Sequence, residues 1–395
     1  MGTLDGITVL DLSRYIAGPT ASMMLADQGA DVIKVESVPL GDPSRQSGPY
    51  QDGHSVYFMS ANRNKTSLAM DLRTAEGKDA LTRIASTADV LIENFKPGTT
   101  ATMGIGAEQL AEVNPGLVYC SISGFGNGPV GSSMAGFDQN AQGMSGLMSV
   151  TGTQETGPMR VGVPIADSTT GLVAGFAIVS KLMERSRTGV GGLVQTSLMQ
   201  SMSFMMTYQA QKFLSLGIVP TREGNDHPLL FPQGTFATQD SFITIASGNE
   251  RMWRKLCAAL DLSEIADSPL FDSNAVRMAN KTQLRAIFEE RLADRTSAEW
   301  ISIINDSGVP CGPVLTMDEA FTHPVSEELQ LSESVKHQEL GDIRVLGRPA
   351  NTGDDEWLRL APPVLGQHSS DILRKYGFTD DQVADFIDRG IIIQA

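Results

Sequence analysis

Apolar residues in the first 125 positions follow two patterns that take turns along the chain. Short runs at 7–12, 31–35, 90–92 and 117–122 are nearly continuous in Ile, Val and Leu, which suits strands covered on both faces. Between them, apolar residues recur every three or four positions. Gly18-Pro19 opens one such segment, which runs to about position 28 and stops at Gly29; proline is well placed in a first helical turn. Thr74 caps a second segment to about position 88, and a third covers 107–113. Strands spaced by helices predict βαβ units, a parallel sheet, and ligands beyond the carboxyl ends of the strands.

After position 125 the pattern loosens. GFGNGPVG at 124–131 lacks GxGxxG spacing and reads as a flexible connection after the fourth strand. The stretch 135–157, rich in Gly, Ser, Met and Gln, predicts a loop and then a helix near a site. Positions 170–187 are apolar almost all round as far as Lys181 and predict a buried helix. A strand at 193–197 leads to a helix over 198–216, whose Met199, Met202, Met205 and Met206 read as core filling. GNDHPLLFPQG at 224–234 is a loop or linker, followed by strands at 234–238 and 242–246 and helices near 250–260, 281–292 and 297–305. The tail returns to a strand at 342–345, a polar loop at 351–356 and a helix at 379–389. The expected domains are a large one over 1–200, a smaller α+β one over 225–325, and a return to the large one over 330–395.

Composition narrows the chemistry. A chain of 395 residues suits two domains, or one with an insertion. Its 46 acidic against 30 basic residues give a net charge of −16, which repels phosphate backbones and anionic membranes. Nucleic acid and membrane are therefore not expected partners, and a polyanionic ligand needs a local gathering of cations. The most apolar stretch, 171–179, is too short to span a bilayer. The opening MGTLDGITVLDL has two aspartates and no basic cluster, so no signal peptide is expected, and Gly6 stands where a myristoylation signal needs Ser or Thr. Cys120, Cys257 and Cys311 form no CxxC pair, as expected of a cytoplasmic protein with buried thiols. The five histidines show no HxxxH or HExxH spacing, so no metal site is expected. Neither a GxSxG elbow nor a Walker A loop occurs.

Several segments together resemble one family. GITVLDLSRYIAGPTASMMLADQGADVIKVE (6–36), NRNKTSLAMDLRTAEGK (62–78) and ADVLIENFKPGTTATMGIG (88–106) are similar to the opening of the class III CoA transferases, the formyl-CoA transferase-like CaiB/BaiF family. GFDQNAQGMSGLMSVTG (136–152) and VGVPIADSTTGLVAG (161–175) resemble its catalytic region, and GNDHP, GVPCGPV (308–314) and APPVLGQH (361–368) continue the match. The order and spacing of these segments make the resemblance specific over nearly the whole chain. It implies an α/β fold with a Rossmann-like large domain, a smaller α+β domain, and two ring-like subunits interlocked as a homodimer. It implies CoA or acyl-CoA as substrate, with no permanently bound cofactor.

The resemblance assigns Asp167 as the nucleophile that passes through a mixed anhydride and an aspartyl-CoA thioester. Taken alone, Asp167 also reads as the N-cap of the following helix, and both readings have first-turn N–H groups keeping its carboxylate ionised. Asp138 stands either as an orienting acid beside it or as an Asx-turn residue. The CoA site carries over to Ile16, Ala17, Ser37, Met70, Asp71, Leu72, Arg73, Asn94, Phe95, Lys96, Ala135, Gly136, Phe137 and Asp138. Basic residues that formyl-CoA transferase has at the places of Ser37, Thr102 and Ala135 are missing, which leaves Arg73, Lys96, Arg45 or Arg63 for the phosphates. Segment 224–234 holds the place of the family's mobile glycine loop without its glycine run, so lid and linker both stay open. The related 2-methylacyl-CoA racemases carry a proton-transferring histidine where this chain has Phe137, which speaks against racemization. A non-catalytic CoA-binding protein is the remaining alternative. GNDHP resembles the dicarboxylate-handling branch, which implies succinyl-CoA as donor and a small dicarboxylate or hydroxy acid as acceptor.

Overall fold

The computed structural model describes residues 2–354 and 356–395; Met1 and residue 355, inside the polar loop expected at 351–356, lie outside it. The chain divides into two compact units. One takes residues up to 148, 160–218 and 329–395; the other takes 149–159 and 219–328.

Seven strands form the sheet of the larger unit. They are β1 (Thr8–Asp11), β2 (Asp31–Glu36), β3 (Lys65–Met70), β4 (Val90–Glu93), β5 (Val118–Ser123), β6 (Gly192–Ser197) and β7 (Ile392–Ile393). Their order is β7-β3-β2-β1-β4-β5-β6. All pair in parallel except β7, which runs antiparallel to β3 with Ile392 opposite Met70. Strands β1 to β6 thus take the doubly wound order 3-2-1-4-5-6, which reverses direction between β1 and β4.

Side chains alternate between the two faces of each strand, so both faces are apolar. Leu10, Ile33, Leu68 and Leu91 join one core with Leu81, Ile84, Leu373 and Phe386. Val9, Val32, Val90 and Val118 join the other with Ala21, Leu25, Ala174 and Ile178. That second core is covered by α1 (Ala17–Asp27) and α3 (Ile165–Thr188), while α2 (Asp138–Met144) lies between them in sequence. Gly171 sets how closely α1 and α3 pack, because a Cβ there would stand 2.7 Å from the Ala17 carbonyl oxygen.

Several elements differ from expectation. Strand β3 was not foreseen; it opens on Lys65, a fully buried charge that the apolar pattern cannot flag. Lys65 Nζ donates to Asp11 Oδ2 at 3.0 Å, Asn62 Oδ1 at 2.8 Å and the Pro19 carbonyl at 2.9 Å. Lys34, also fully buried, pairs with Asp11 at 3.8 Å and Asp42 at 3.0 Å. The helix expected over 198–216 is two helices, Leu198–Met205 and Thr207–Leu216, broken where Thr207 takes a φ of 43°. Helix α3 is long and apolar enough by composition to cross a membrane, contrary to the short stretch expected. Its buried face instead packs on α1 and β5, and Asp167 sits in its first turn.

The smaller unit has its own three-stranded antiparallel sheet, Gln233–Ala237, Phe242–Ala246 and Cys311–Pro313. Its core gathers Phe236, Trp253, Phe288 and Trp300. Within it, segment 224–234 is tied down: Gly224 N–H donates to the Gly152 carbonyl at 2.8 Å, and Asp226 pairs with Lys281 and Arg285.

Candidate active site

The turn after β1 and the turn after β4 meet where the sheet order reverses. The Arg14 N–H donates to Asn94 Oδ1, and Asn94 Nδ2 donates back to the Arg14 carbonyl, both at 2.8 Å. Tyr15 follows with a φ of 63°, and its N–H donates to buried Asp42 at 3.2 Å. The Lys34–Asp42 pair thus anchors a turn that lines a cavity of about 530 Å³. Arg14, Tyr15, Tyr57, Asn94, Lys96, Phe137, Asp138, Arg160 and Asp167 are among the residues lining it. A second cavity of about 390 Å³ lies beyond the ends of β1, β2 and β3 and includes Ser37, Met70, Asp71, Leu72 and Arg73. Arg14 and Phe95 line both, the guanidinium stacking 4.7 Å from the ring centroid, so the cavities adjoin.

Helix α3 starts at Ile165, five residues earlier than the apolar pattern suggested, and Asp167 is inside its first turn rather than at its cap. The capping carboxylate comes from Asp138 on α2. Its Oδ1 accepts from the Ala166 N–H at 2.8 Å and the Asp167 N–H at 3.3 Å, and its Oδ2 accepts from Gln142 Nε2 at 2.6 Å. Gln142, fully buried, accepts in turn from the Val161 N–H at 2.9 Å. One buried amide thus fixes both Asp138 and the connection that leads into Asp167.

This overturns the expectation that first-turn N–H groups keep Asp167 ionised, because Asp138 has taken those donors. Burial, and then the charge of Asp138, push the Asp167 carboxyl up to about 7. Burial and the charges of Asp167 and Asp138 push the Tyr57 hydroxyl up to about 12, so it stays a neutral donor facing the same space. Close approach of a ligand is eased at Gly124 and Gly136, whose backbones touch so tightly that a Cβ on either would overlap the other.

Of the residues expected at a CoA site, Ala17, Asn94, Phe95, Lys96, Gly136, Phe137 and Asp138 line the first cavity, and Ser37 and 70–73 the second. Ile16 and Ala135 line neither. Two expected phosphate cations are already engaged. Arg63 is buried in a two-point bridge to Asp27, and Arg45 makes one to Glu36, its guanidinium lying 3.6 Å from the Phe58 ring centroid. Arg73 is exposed and pairs with Asp71. Arg14, Tyr15, Tyr57, Gln142 and Arg160 were not singled out from sequence. Arg14 and Tyr15 share the turn of Ile16 and Ala17 and were within reach of the same reasoning. Tyr57 and Arg160 come from segments with no local signature. Cys120 and Cys257 are buried free thiols, as expected, whereas the Cys311 thiol is only half-buried.

The geometry leaves a buried carboxyl, Asp167, lining one of two adjoining cavities, and the comparison with known proteins decides the family. The CoA-transferase family III model matches residues 4–369. The chain is a family III CoA-transferase. It is 35% identical to the succinyl-CoA:glutarate CoA-transferase of Homo sapiens, over 99% of this chain and 90% of that protein. It is 36% identical to the succinate–glutarate CoA-transferase of Agrobacterium fabrum, over 94% of each. A solved CaiB/BaiF family protein from Brucella suis superposes with a TM-score of 0.85 at 37% identity, covering 95% of this chain and 99% of that one. Membership makes the chain an enzyme acting on CoA thioesters and carboxylic acids.

Proposed function

We propose that this CoA-transferase exchanges CoA between dicarboxylic acids through covalent intermediates on Asp167, with succinyl-CoA as donor. The observation that carries this reading is Asp167 itself: a carboxylate raised toward neutrality by burial, opening into a cavity that also presents Arg14, Lys96 and Arg160. Among the described residues no carboxylate pairs with any of these three cations, in a chain whose acidic residues outnumber its basic ones by 46 to 30. Relatives named for succinate and glutarate support the acid class.

The steps balance without a proton donor. An Asp167 oxygen attacks the donor thioester carbonyl; the C–S bond breaks and CoA leaves as thiolate, giving a mixed anhydride. The thiolate attacks the Asp167 carbonyl carbon, releasing the donor acid and forming an aspartyl-CoA thioester. The acceptor carboxylate then attacks that thioester, and the returning thiolate takes the acceptor acyl group and frees Asp167. The adjoining cavity beside Ser37 and Arg73 would take the far end of CoA. Tyr57, held protonated, stands ready to donate to a developing oxyanion.

We also propose a homodimer. Phe176, Met183, Phe204 and Leu214 on α3 and the two helices after β6 are each at least 66% exposed, a degree of apolar exposure that marks an association surface.

The decisive experiment is trapping. Hydroxylamine should label the peptide holding Asp167 only after an acyl-CoA is added, and Asp167→Asn should abolish label and transfer while the chain stays folded. Label on Asp138, or near wild-type turnover by the Asn variant, would refute the assignment.

A further inference from the structure

We propose that Arg160 reads the distal carboxylate of a dicarboxylic acyl group bound at this site, which rests on Asp167 being the residue that receives the acyl group. Two carboxylates, Asp138 and Asp167, already face the cavity. A dicarboxylic substrate brings a further negative charge into the same space, and that charge needs a cation close to the acyl end.

Three cations line the cavity, and their positions separate them. Arg14 lines both cavities, and Lys96 directly follows Phe95, which also lines both. These two stand at the passage where an extended CoA arm would run. Arg160 belongs to the other side. It lies on the connection whose Gly162 and Pro164 also line the first cavity and which runs straight into Asp167. Arg160 has no part in the second cavity.

That connection is fixed relative to the nucleophile. Gln142 accepts from the Val161 N–H next to Arg160, donates to Asp138, and Asp138 accepts from the Asp167 N–H. The base of the Arg160 side chain and the reacting carboxylate are therefore anchored to one buried amide, which gives the cation a defined reach from the reaction centre. A guanidinium suits the task, since its planar fork binds a carboxylate at two points. The side chain is exposed and, among the described residues, forms no ion pair, so it is available to a ligand.

The test compares succinyl-CoA with butyryl-CoA, which has a methyl group where succinyl-CoA has its free carboxylate. The wild-type enzyme should prefer succinyl-CoA in kcat/KM, and Arg160→Gln should shrink that preference roughly 10- to 100-fold, chiefly through KM. Arg160→Lys should recover part of it. Equal losses with both donors, or an unchanged preference, would overturn the proposal, the first result placing Arg160 on the CoA moiety or in a structural role. The nucleophile is checked apart from this, by hydroxylamine labelling of Asp167 in wild-type enzyme given butyryl-CoA. Absence of that label would sink the Asp167 reading whatever the donor preference shows.

Discussion

A carboxyl group that titrates near 7 instead of near 3.8 ties activity and stability to the same proton. In the proposed mechanism only ionised Asp167 attacks the thioester, so kcat/KM should rise about tenfold per pH unit below 7 and level off above it. Stability runs the other way. Between pH 3.8 and about 7 the folded chain keeps a proton that the unfolded chain has lost, so stability falls as pH rises through that window. Asp167→Asn should therefore unfold at higher denaturant than wild type above pH 7, by up to about 4 kcal/mol, with the gain vanishing near pH 4. Equal stabilisation at both ends of the range would disprove the coupling. Asp138→Asn removes the neighbouring charge, so the surviving activity should titrate at lower pH. The new amide would face the Gln142 donor, and Gln142 cannot turn without releasing Val161. The resulting shift of the α3 start should lower turnover on the order of 100-fold.

At the level of elements, the buried Asp11–Lys34–Lys65 cluster joins β1, β2 and β3 under the turn that carries Arg14 and Tyr15. Lys65→Met would leave fully buried Asp11 with one ammonium partner fewer and should cost about 3–5 kcal/mol, read as a lower denaturant midpoint. A loss under 1 kcal/mol would show that Lys34, Ser13 and Ser22 suffice. The same cluster explains what the sequence displayed and what it hid. Strands β1, β2, β4 and β5 were legible because their mostly apolar runs, interrupted in β2 only at Lys34, need cover on both faces. Strand β3 was not, because its first residue is a lysine whose place depends on an aspartate 54 positions earlier. The start of α3 was misjudged for a similar reason, since its cap is supplied by Asp138, 28 residues before Ala166. Asp167 itself was reached through family resemblance; no local pattern distinguishes it from an ordinary first-turn aspartate. Gln142 is linked to Asp167 only through Asp138, and to the connection after Arg160 only through the Val161 N–H, tertiary bonds that a linear reading does not reveal.

For the whole molecule, the exposed apolar side chains on α3 and the helices after β6 give the dimer proposal a direct check. Light scattering at micromolar concentration should report twice the 42.3 kDa chain mass, and Phe204→Asp should weaken the assembly. A folded wild-type monomer at that concentration would refute it. The placement of β7 has a further consequence for synthesis. β3 is translated long before the groups that cover its outer edge: the Ser67 N–H donates to His368 Nδ1, the Ala69 N–H donates to Ser369 Oγ, and Ile392 and Ile393 pair beside Met70 and Ala69. Until then a nascent chain carries the open N–H and C=O groups of β3 along an unguarded sheet border, while the smaller unit, finished by position 328, is free to fold around its own tryptophans. Ribosomes that stall between positions 328 and 368 should therefore yield chains prone to edge-to-edge aggregation, and a chaperone acting on this protein has its period of need set by the time taken to translate that interval.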